Sequence, residues 1–352
     1  MTQKWQRERK GKQDVEDAPR AEARRLQRPL GQGEALDRWV RAARRLQLPH
    51  GLVVEGARGV GKTTVLQYLT AALLCPSELD PDEPCGVCRT CTRIANDLHP
   101  DVHVLQRAQD ETEQKELKRS FYVLKVDQVR EAEEQLRRHA IEGRARVCAI
   151  HDADCLAEEG QNALLKTLEE PGEATFLLLE ASRPEQLLPT VRSRVQRLRV
   201  LPLSDEAVRA ELTKRNPHDF HRFDHAVAVA HGSLGMACQA VTEHAVQLHD
   251  LALAWLGETQ NLRPVATARA ALEGATERRI EIEHARLFLW LLRSELRRQR
   301  DALVSGEGGS YPAASLEPWT TWLERTLQAE RDLDLLIPPE QVLAACLVQL
   351  AS

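Results

Sequence analysis

Aromatic residues and methionine are scarce in this 352-residue chain, which has five Phe, three Tyr, six Trp and two Met. What remains is rich in Leu, Ala and Arg, 42% hydrophobic and 29% charged, a composition that describes a folded, mostly helical protein and excludes disorder throughout. A strong positive charge is missing as well. Forty-eight basic against 53 acidic residues leave a net of −5, so the whole chain is not built to hold nucleic acid by bulk electrostatics. Any such contact is local or shared with partners. No run of about 18 apolar residues occurs, which argues against a membrane-spanning helix. The opening segment, Met1 to Lys10, lacks the apolar stretch of a secretion signal. The expectation is a cytoplasmic protein, without membrane contact, of two or three domains at about 100–200 residues each.

Cysteine is present, but unevenly. Of the eight, four crowd into Cys75-Pro-Ser-Glu-Leu-Asp-Pro-Asp-Glu-Pro-Cys85-Gly-Val-Cys88-Arg-Thr-Cys91. In a reducing compartment disulfides are disfavoured, whereas four thiolates satisfy a tetrahedral Zn²⁺ whose binding organises a loop with no core of its own. Overlapping C-x2-C pairs bring Cys85, Cys88 and Cys91 into one tight turn, and Cys75, ending an apolar helix, supplies the fourth ligand. Cys148, Cys155, Cys238 and Cys346 are scattered and read as small buried apolar residues.

Residues 1–28 carry charge and Gln with almost no apolar periodicity, so a mobile solvated tail is expected there. Helical spacing of Leu36, Trp39, Val40 and Ala43 predicts a helix from Gly33 to Leu46, followed by a short apolar strand, Gly51 to Glu55. Three further strands are predicted at 101–105, 146–150 and 175–179, separated by helices at 65–74, 126–139 and 160–168. The alternation gives an α/β domain with a parallel sheet and flanking helices over residues 29–200, with the cysteine module inserted at 75–91. Beyond Leu201-Pro202 strand patterns disappear. A helical lid is expected at 201–245 and a helical collar at 246–352, the latter interrupted by the loop Ser305-Gly-Glu-Gly-Gly-Ser310.

Between the first strand and its helix stands Gly56-Ala-Arg-Gly59-Val-Gly61-Lys62-Thr63, a complete G-x-x-x-x-G-K-[ST] P-loop in the context that supports it. Its glycines let backbone N–H groups close around phosphate oxygens at a helix N-terminus, Lys62 reaches the β- and γ-phosphates, and Thr63, followed by Thr64, ligates Mg²⁺. ATP or ADP with Mg²⁺ is the implied ligand. Hydrolysis needs more, namely an acid at the end of the third strand for the metal and usually a second beside it to orient water. That pair is absent, because the strand runs into His151-Asp152-Ala153-Asp154. Asp152 remains the candidate acid, and weak turnover or none is expected.

The ordered motifs resemble one family, the AAA+ clamp-loader subunits of bacterial DNA polymerase III. The resemblance spans most of residues 30–200. It is carried by Leu30-Gly-Gln32, Leu48-Pro-His50, the P-loop, the four cysteines, His99-Pro-Asp101, Val126-Asp-Gln-Val-Arg130, Asn162-Ala-Leu-Leu-Lys-Thr-Leu-Glu-Glu-Pro171 and Leu188-Pro-Thr-Val-Arg-Ser-Arg194. It implies an AAA+ fold with lid and collar, and a ring with tau/gamma and delta subunits that loads a sliding clamp on primer-template DNA. It also implies that Arg194 is an arginine finger reaching a neighbour's ATP in trans, although the family's Cys after that arginine is Val195 here.

Departures from the motor members point to a non-motor, stator branch. The Asp-Glu pair after the third strand is replaced by His151-Asp152. The second-sensor arginine of the lid is replaced by Gly235 in Gly232-Ser-Leu-Gly235, and the long C-terminal extension of a tau subunit is missing. The complete P-loop alone points back toward a motor ATPase. A stand-alone nucleotide-dependent DNA-binding switch is a third reading, which demands tight, salt-sensitive DNA binding by the monomer. Lys166, Glu169 and Glu170 read first as interface and surface charges. Arg130 reads equally as a phosphate contact or a helix-face salt bridge.

Overall fold

Strand residues with apolar side chains on both faces require cover on both sides, and the chain supplies it with helices. The computed structural model describes residues 24–107, 124–216, 218–257, 263–305, 317–335 and 337–351. The first 23 residues of the expected tail, and positions 306–310 of the expected collar loop, lie outside them.

Five strands form one sheet: β1 (Gly51–Glu55), β2 (Val102–Leu105), β3 (Arg146–Ile150), β4 (Thr175–Ala181) and β5 (Gln196–Arg199), in the order β2-β3-β4-β1-β5. Every neighbouring pair is parallel. The central strand β4 is buried at every position. Alternation sorts its neighbour β1, so that Leu52 and Val54 pack to one face and Val53 to the other. The first face is covered by α1 (Gly33–Arg44) and α2 (Lys62–Leu74) through Leu36, Val40, Leu66 and Leu69. The second is covered by α4 (Val126–Leu136) and α5 (Glu158–Glu169) through Val129, Leu136, Leu164 and Leu168. A short helix, α3 (Arg89–Ala95), closes the cysteine segment. This is the parallel sheet with flanking helices on both faces that the sequence pattern predicts. β5, which no sequence pattern announced, is an edge strand reached through α6 (Pro189–Arg192).

Past residue 200 every named element is helical: α7 (Asp205–Arg215), α8 (Phe223–Ala230), α9 (Leu234–Ala240), α10 (Glu243–Gly257), α11 (Pro264–Ala271), α12 (Arg278–Ser305), α13 (Glu317–Asp332) and α14 (Pro339–Ala351). Apolar residues from Leu203 to Leu350 join in one buried cluster, with Phe288, Leu289 and Leu292 of α12 fully enclosed. Helices on either side of residue 245 thus share a core. That helical body is tied to the sheet by Arg183, just after β4, which donates to Asp334 at 3.1 Å and pairs with Asp154 at 3.4 Å.

Candidate functional site

The P-loop turns back at Gly59 and Gly61, whose φ angles of +72° and +104° are cheap only for glycine. Gly61 then caps α2 and leaves the helix N-terminus, with its free N–H groups and positive dipole end, facing the loop. Gly56 precedes the turn directly after β1. Lys62 is buried and its Nζ donates to the carbonyl of Ala57 at 3.0 Å. Burial pushes the Lys62 ammonium below its usual range, and the nearby carboxylate of Glu180 opposes that shift. Thr63 and Thr64 face different spaces. A cavity of about 430 Å³ opens beside Thr63, His151, Asp152 and Glu180. A second, of about 180 Å³, lies beside Thr64, Leu30, Gln32 and Leu203.

Asp152, the acid expected at the metal position, is turned in a left-handed conformation, φ +47°, and is engaged by Arg107 at 2.7 Å and 3.1 Å. That guanidinium, against the penalty of burial, holds the Asp152 carboxyl below its usual range. The carboxylate that meets the P-loop hydroxyl is Glu180 of β4, which accepts from Thr63 Oγ1 at 2.9 Å. Its Oε2 also lies 2.8 Å from His151 Nδ1. Burial alone would lower the His151 pKa, yet the hydrogen bond and charge of Glu180 raise it. Sequence reasoning passed over Glu180. The available signal was a single carboxylate inside an otherwise uncharged seven-residue strand, since a charge there is tolerated only when paired.

The N-terminal turn of α9 rests on the loop, with Ser233 Oγ donating to the carbonyl of Arg58 at 2.8 Å.

Arg194 stands at the other end of the sheet. Its carbonyl neighbours Gly51, the first residue of β1, so closely that a Cβ added there would lie 3.3 Å away. The P-loop begins after Glu55, the last residue of β1. Five residues of strand therefore separate Arg194 from the loop of its own chain, on the order of 15 Å. The guanidinium pairs with Glu169 at 2.5 Å and donates to the carbonyl of Thr190 at 3.0 Å. Buried Gln161 holds this segment in place, accepting from the Leu188 N–H at 2.7 Å and donating to the carbonyl of Gln186 at 3.3 Å. Lys166, Glu169 and Glu170 are exposed, and Arg130 pairs with Asp127 one helical turn away, at 3.8 Å.

The four clustered cysteines converge. Cys75 Sγ lies 3.7 Å from Cys85 Sγ and 3.9 Å from Cys88 Sγ, and all four sulfurs lie within 4.8 Å of one another. Thiolates around a zinc ion at about 2.3 Å define a tetrahedron with edges of about 3.8 Å, so donor set and spacing both suit such a cation. The N–H groups of Cys85, Cys88 and Cys91 point at the sulfurs of Cys75, Cys85 and Cys88 at 3.4–3.5 Å. Burial and the crowding of Cys75 and Cys88 push the Cys91 thiol well up. Sulfurs this close ionise together only with a cation among them. Arg44, under the loop, donates to the carbonyl of Cys75 at 2.6 Å. Residues 24–28 are anchored nearby, where Asn96 exchanges two hydrogen bonds with the Arg24 backbone and Arg28 pairs with Asp37 at 2.6 Å and with Glu83. Of the other cysteines, Cys148 and Cys346 are buried, and burial pushes both thiols up to about 12. Cys155 and Cys238 are half-buried.

Residues 31–204 match the family described as DNA polymerase III, delta subunit. The chain is similar to the Escherichia coli protein named DNA polymerase III subunit delta', 37% identical over 145 residues, which are 41% of this chain and 40% of that protein. The Bacillus subtilis protein of the same name is 30% identical over 174 residues, 49% of each chain. The gamma/tau subunit of DNA polymerase III from Mycobacterium tuberculosis is 30% identical over 168 residues, 48% of this chain and 27% of that protein. The chain therefore aligns with less than half the length of these relatives.

Proposed function

We propose that this chain, whose residues 31–204 match the DNA polymerase III delta-subunit family, is a delta-prime-like stator of a clamp loader. It assembles with tau/gamma and delta subunits into a ring that places the sliding clamp on primer-template DNA. The observation that carries this reading is the position of Arg194, at the N-terminal end of β1 and a full strand away from its own P-loop. A guanidinium so placed serves a nucleotide held by a neighbour. There a planar, permanent cation stabilises the charge that develops on the γ-phosphoryl group.

The chain's own P-loop binds ATP or ADP with Mg²⁺ as a structural ligand, through Gly56, Gly59, Gly61, Lys62, Thr63 and Thr64. When bound, the metal would neutralise phosphate charge beside Thr63. Hydrolysis is weak or absent, because His151 stands at the end of β3 where motors carry the metal acid, and Asp152 is committed to Arg107. Zn²⁺ on Cys75, Cys85, Cys88 and Cys91 braces the segment between α2 and β2, supplying energy that a loop of this length lacks. DNA contact shared around a ring suits a chain of net charge −5. None of the described helices is long and apolar enough to cross a membrane.

Reconstitution with tau/gamma, delta, clamp and primed DNA tests the reading. The expected result is little ATPase from the chain alone, and clamp loading by the complex that requires it. The complete P-loop favours the competing motor reading. Robust turnover by the isolated chain, abolished by Lys62→Ala, would establish that reading instead.

A further inference from the structure

The metal acid missing from β3 has a replacement one strand away. The last β3–β4 partners are Ile150 and Leu179, so one step further His151 comes level with Glu180. On its other side Glu180 is in register with Val54 of β1, next to the residue that leads into the P-loop. Neighbouring strands are about 4.8 Å apart, and a glutamate, one methylene longer than an aspartate, spans part of that offset. Its Oε2 reaches Thr63 Oγ1 at 2.9 Å, and its Oε1 lies 3.9 Å from Lys62 Nζ. Both P-loop side chains that address phosphate and metal thus converge on one buried carboxylate.

Mg²⁺ is a hard cation that takes oxygen donors and has little use for imidazole. With His151 at the end of β3, a magnesium position beside Thr63 needs its carboxylate from elsewhere. We propose that Glu180 is that carboxylate: with Thr63 it forms the divalent-cation position of the P-loop, and His151 orients it through Oε2. The inference rests on reading the P-loop as a nucleotide site and deepens it. Glu180 restores the metal carboxylate, while Asp152, the acid beside His151, stays committed to Arg107, which accounts for a nucleotide that is held and not turned over.

Calorimetric titration of the full chain with ADP, in Mg²⁺ and in EDTA, tests the assignment without relying on activity. Wild type should bind ADP more tightly with Mg²⁺. Glu180→Gln, close to isosteric, should lose about 10- to 100-fold in Mg²⁺-dependent affinity while its affinity in EDTA stays level, with thermal unfolding confirming the fold. Adding His151→Asp to that variant, which returns an acid to β3, should recover the Mg²⁺ dependence. A Glu180→Gln protein that keeps the wild-type Mg²⁺ dependence overturns the assignment and leaves the nucleotide site standing. A gain of affinity in EDTA with no loss in Mg²⁺ makes Glu180 a counter-ion of Lys62 and overturns it too. Wild type that binds no ADP in either buffer removes the nucleotide reading itself, and this inference with it.

Discussion

The N–H of Gly235, in the first turn of α9, donates to the carbonyl of Gly59 in the P-loop at 2.8 Å. A Cβ added to Gly235 would lie 2.8 Å from Gly59 Cα and 2.9 Å from its oxygen, and one added to Gly59 would lie 2.7 Å from Ser233 Oγ. Two glycines therefore let the helical region close directly on the loop. The arginine that motor subunits carry at the lid is incompatible with this contact. Gly235→Ala is expected to destabilise the chain by about 1–3 kcal/mol through overpacking, and Gly235→Arg to hold the two regions apart. Thermal unfolding and small-angle scattering read these effects. An alanine variant with unchanged melting would show that the contact is not tight in solution.

Arg194 rests on Glu169 in the isolated chain, and the proposed finger role requires it to leave that partner. Their pair is half-exposed, with side-chain exposures of 36% and 50%, so releasing it costs little, about 0–1 kcal/mol. Arg194→Ala should leave stability and ring assembly intact and lower the ATPase of the complex, by up to about 10³-fold at the one site it serves. Arg194→Lys should rescue little, since the planar fork is lost. Assembled complexes whose ATPase does not respond to the alanine change would remove the finger role.

Much of this was legible from the residues alone. β1 and β3 occupy the residues their apolar runs predict, because strands covered on both faces are short, unbroken and bounded by polar turns. β5 was not legible, for the opposite reason. Of Gln196 to Arg199 only Leu198 is buried, and its partner β1 is supplied from far earlier in the chain, Leu52 standing opposite Gln196. The cysteine spacing marked the cluster but hid α3, which begins at Arg89 and is capped by Cys88, whose sulfur accepts from the Cys91 N–H. The P-loop residues were readable as a local motif. Glu180 was not, because its role depends on which strands become neighbours, and the shared core of α7 to α14 likewise depends on how distant helices dock.

Cys85 and Cys88 are the two partly exposed members of the cysteine cluster, which among the described residues consists of four sulfurs. Cys85→Ser and Cys88→Ser should each reduce bound zinc from one ion per chain toward none, and chelation should lower the melting temperature of wild type but not of the variants. Metal analysis and unfolding with and without chelator check this. Wild type with far less than one zinc per chain would reject the site.

Asp101, the acid of the His99-Pro-Asp101 motif, holds the turn that leads into β3. Buried before β2, it accepts from the N–H groups of Ile141, Glu142 and Gly143 at 2.5, 2.9 and 2.6 Å. Burial opposes its charge, but those three donors hold its carboxyl below the usual range. A depressed folded pKa contributes stability that is present above the unfolded value, near 4, and lost as pH falls through the folded one. Asp101→Ala should cost about 3 kcal/mol at neutral pH, and less in acid, as measured by denaturant unfolding. A pH-independent loss would mean that the charge contributes nothing.

Two histidine pairs join the helices of the shared core. His225 of α8 stacks near His249 of α10, with ring centroids 4.2 Å apart, and His244 of α10 lies near His284 of α12, at 3.9 Å. The Nε2 atoms of His225, His244 and His249 and Nδ1 of His284 are buried without a hydrogen-bond partner among the described residues. Burial lowers the pKa of all four, and the partner ring adds to the shift at His225 and His284, whereas Glu295 and Asp250 pull the other way at His225 and His249. The folded chain therefore resists protonating these rings, whereas the unfolded chain protonates them near pH 6.5. Above that value their contribution to stability is fully present. It declines as pH falls from about 6.5 toward the lower folded values, because the unfolded state then binds more protons. Melting temperature should fall between pH 7.5 and 5.5, and His284→Phe, which removes one titrating ring and keeps an aromatic in place, should flatten that slope. A slope as steep in the variant as in wild type would assign the acid sensitivity to other groups.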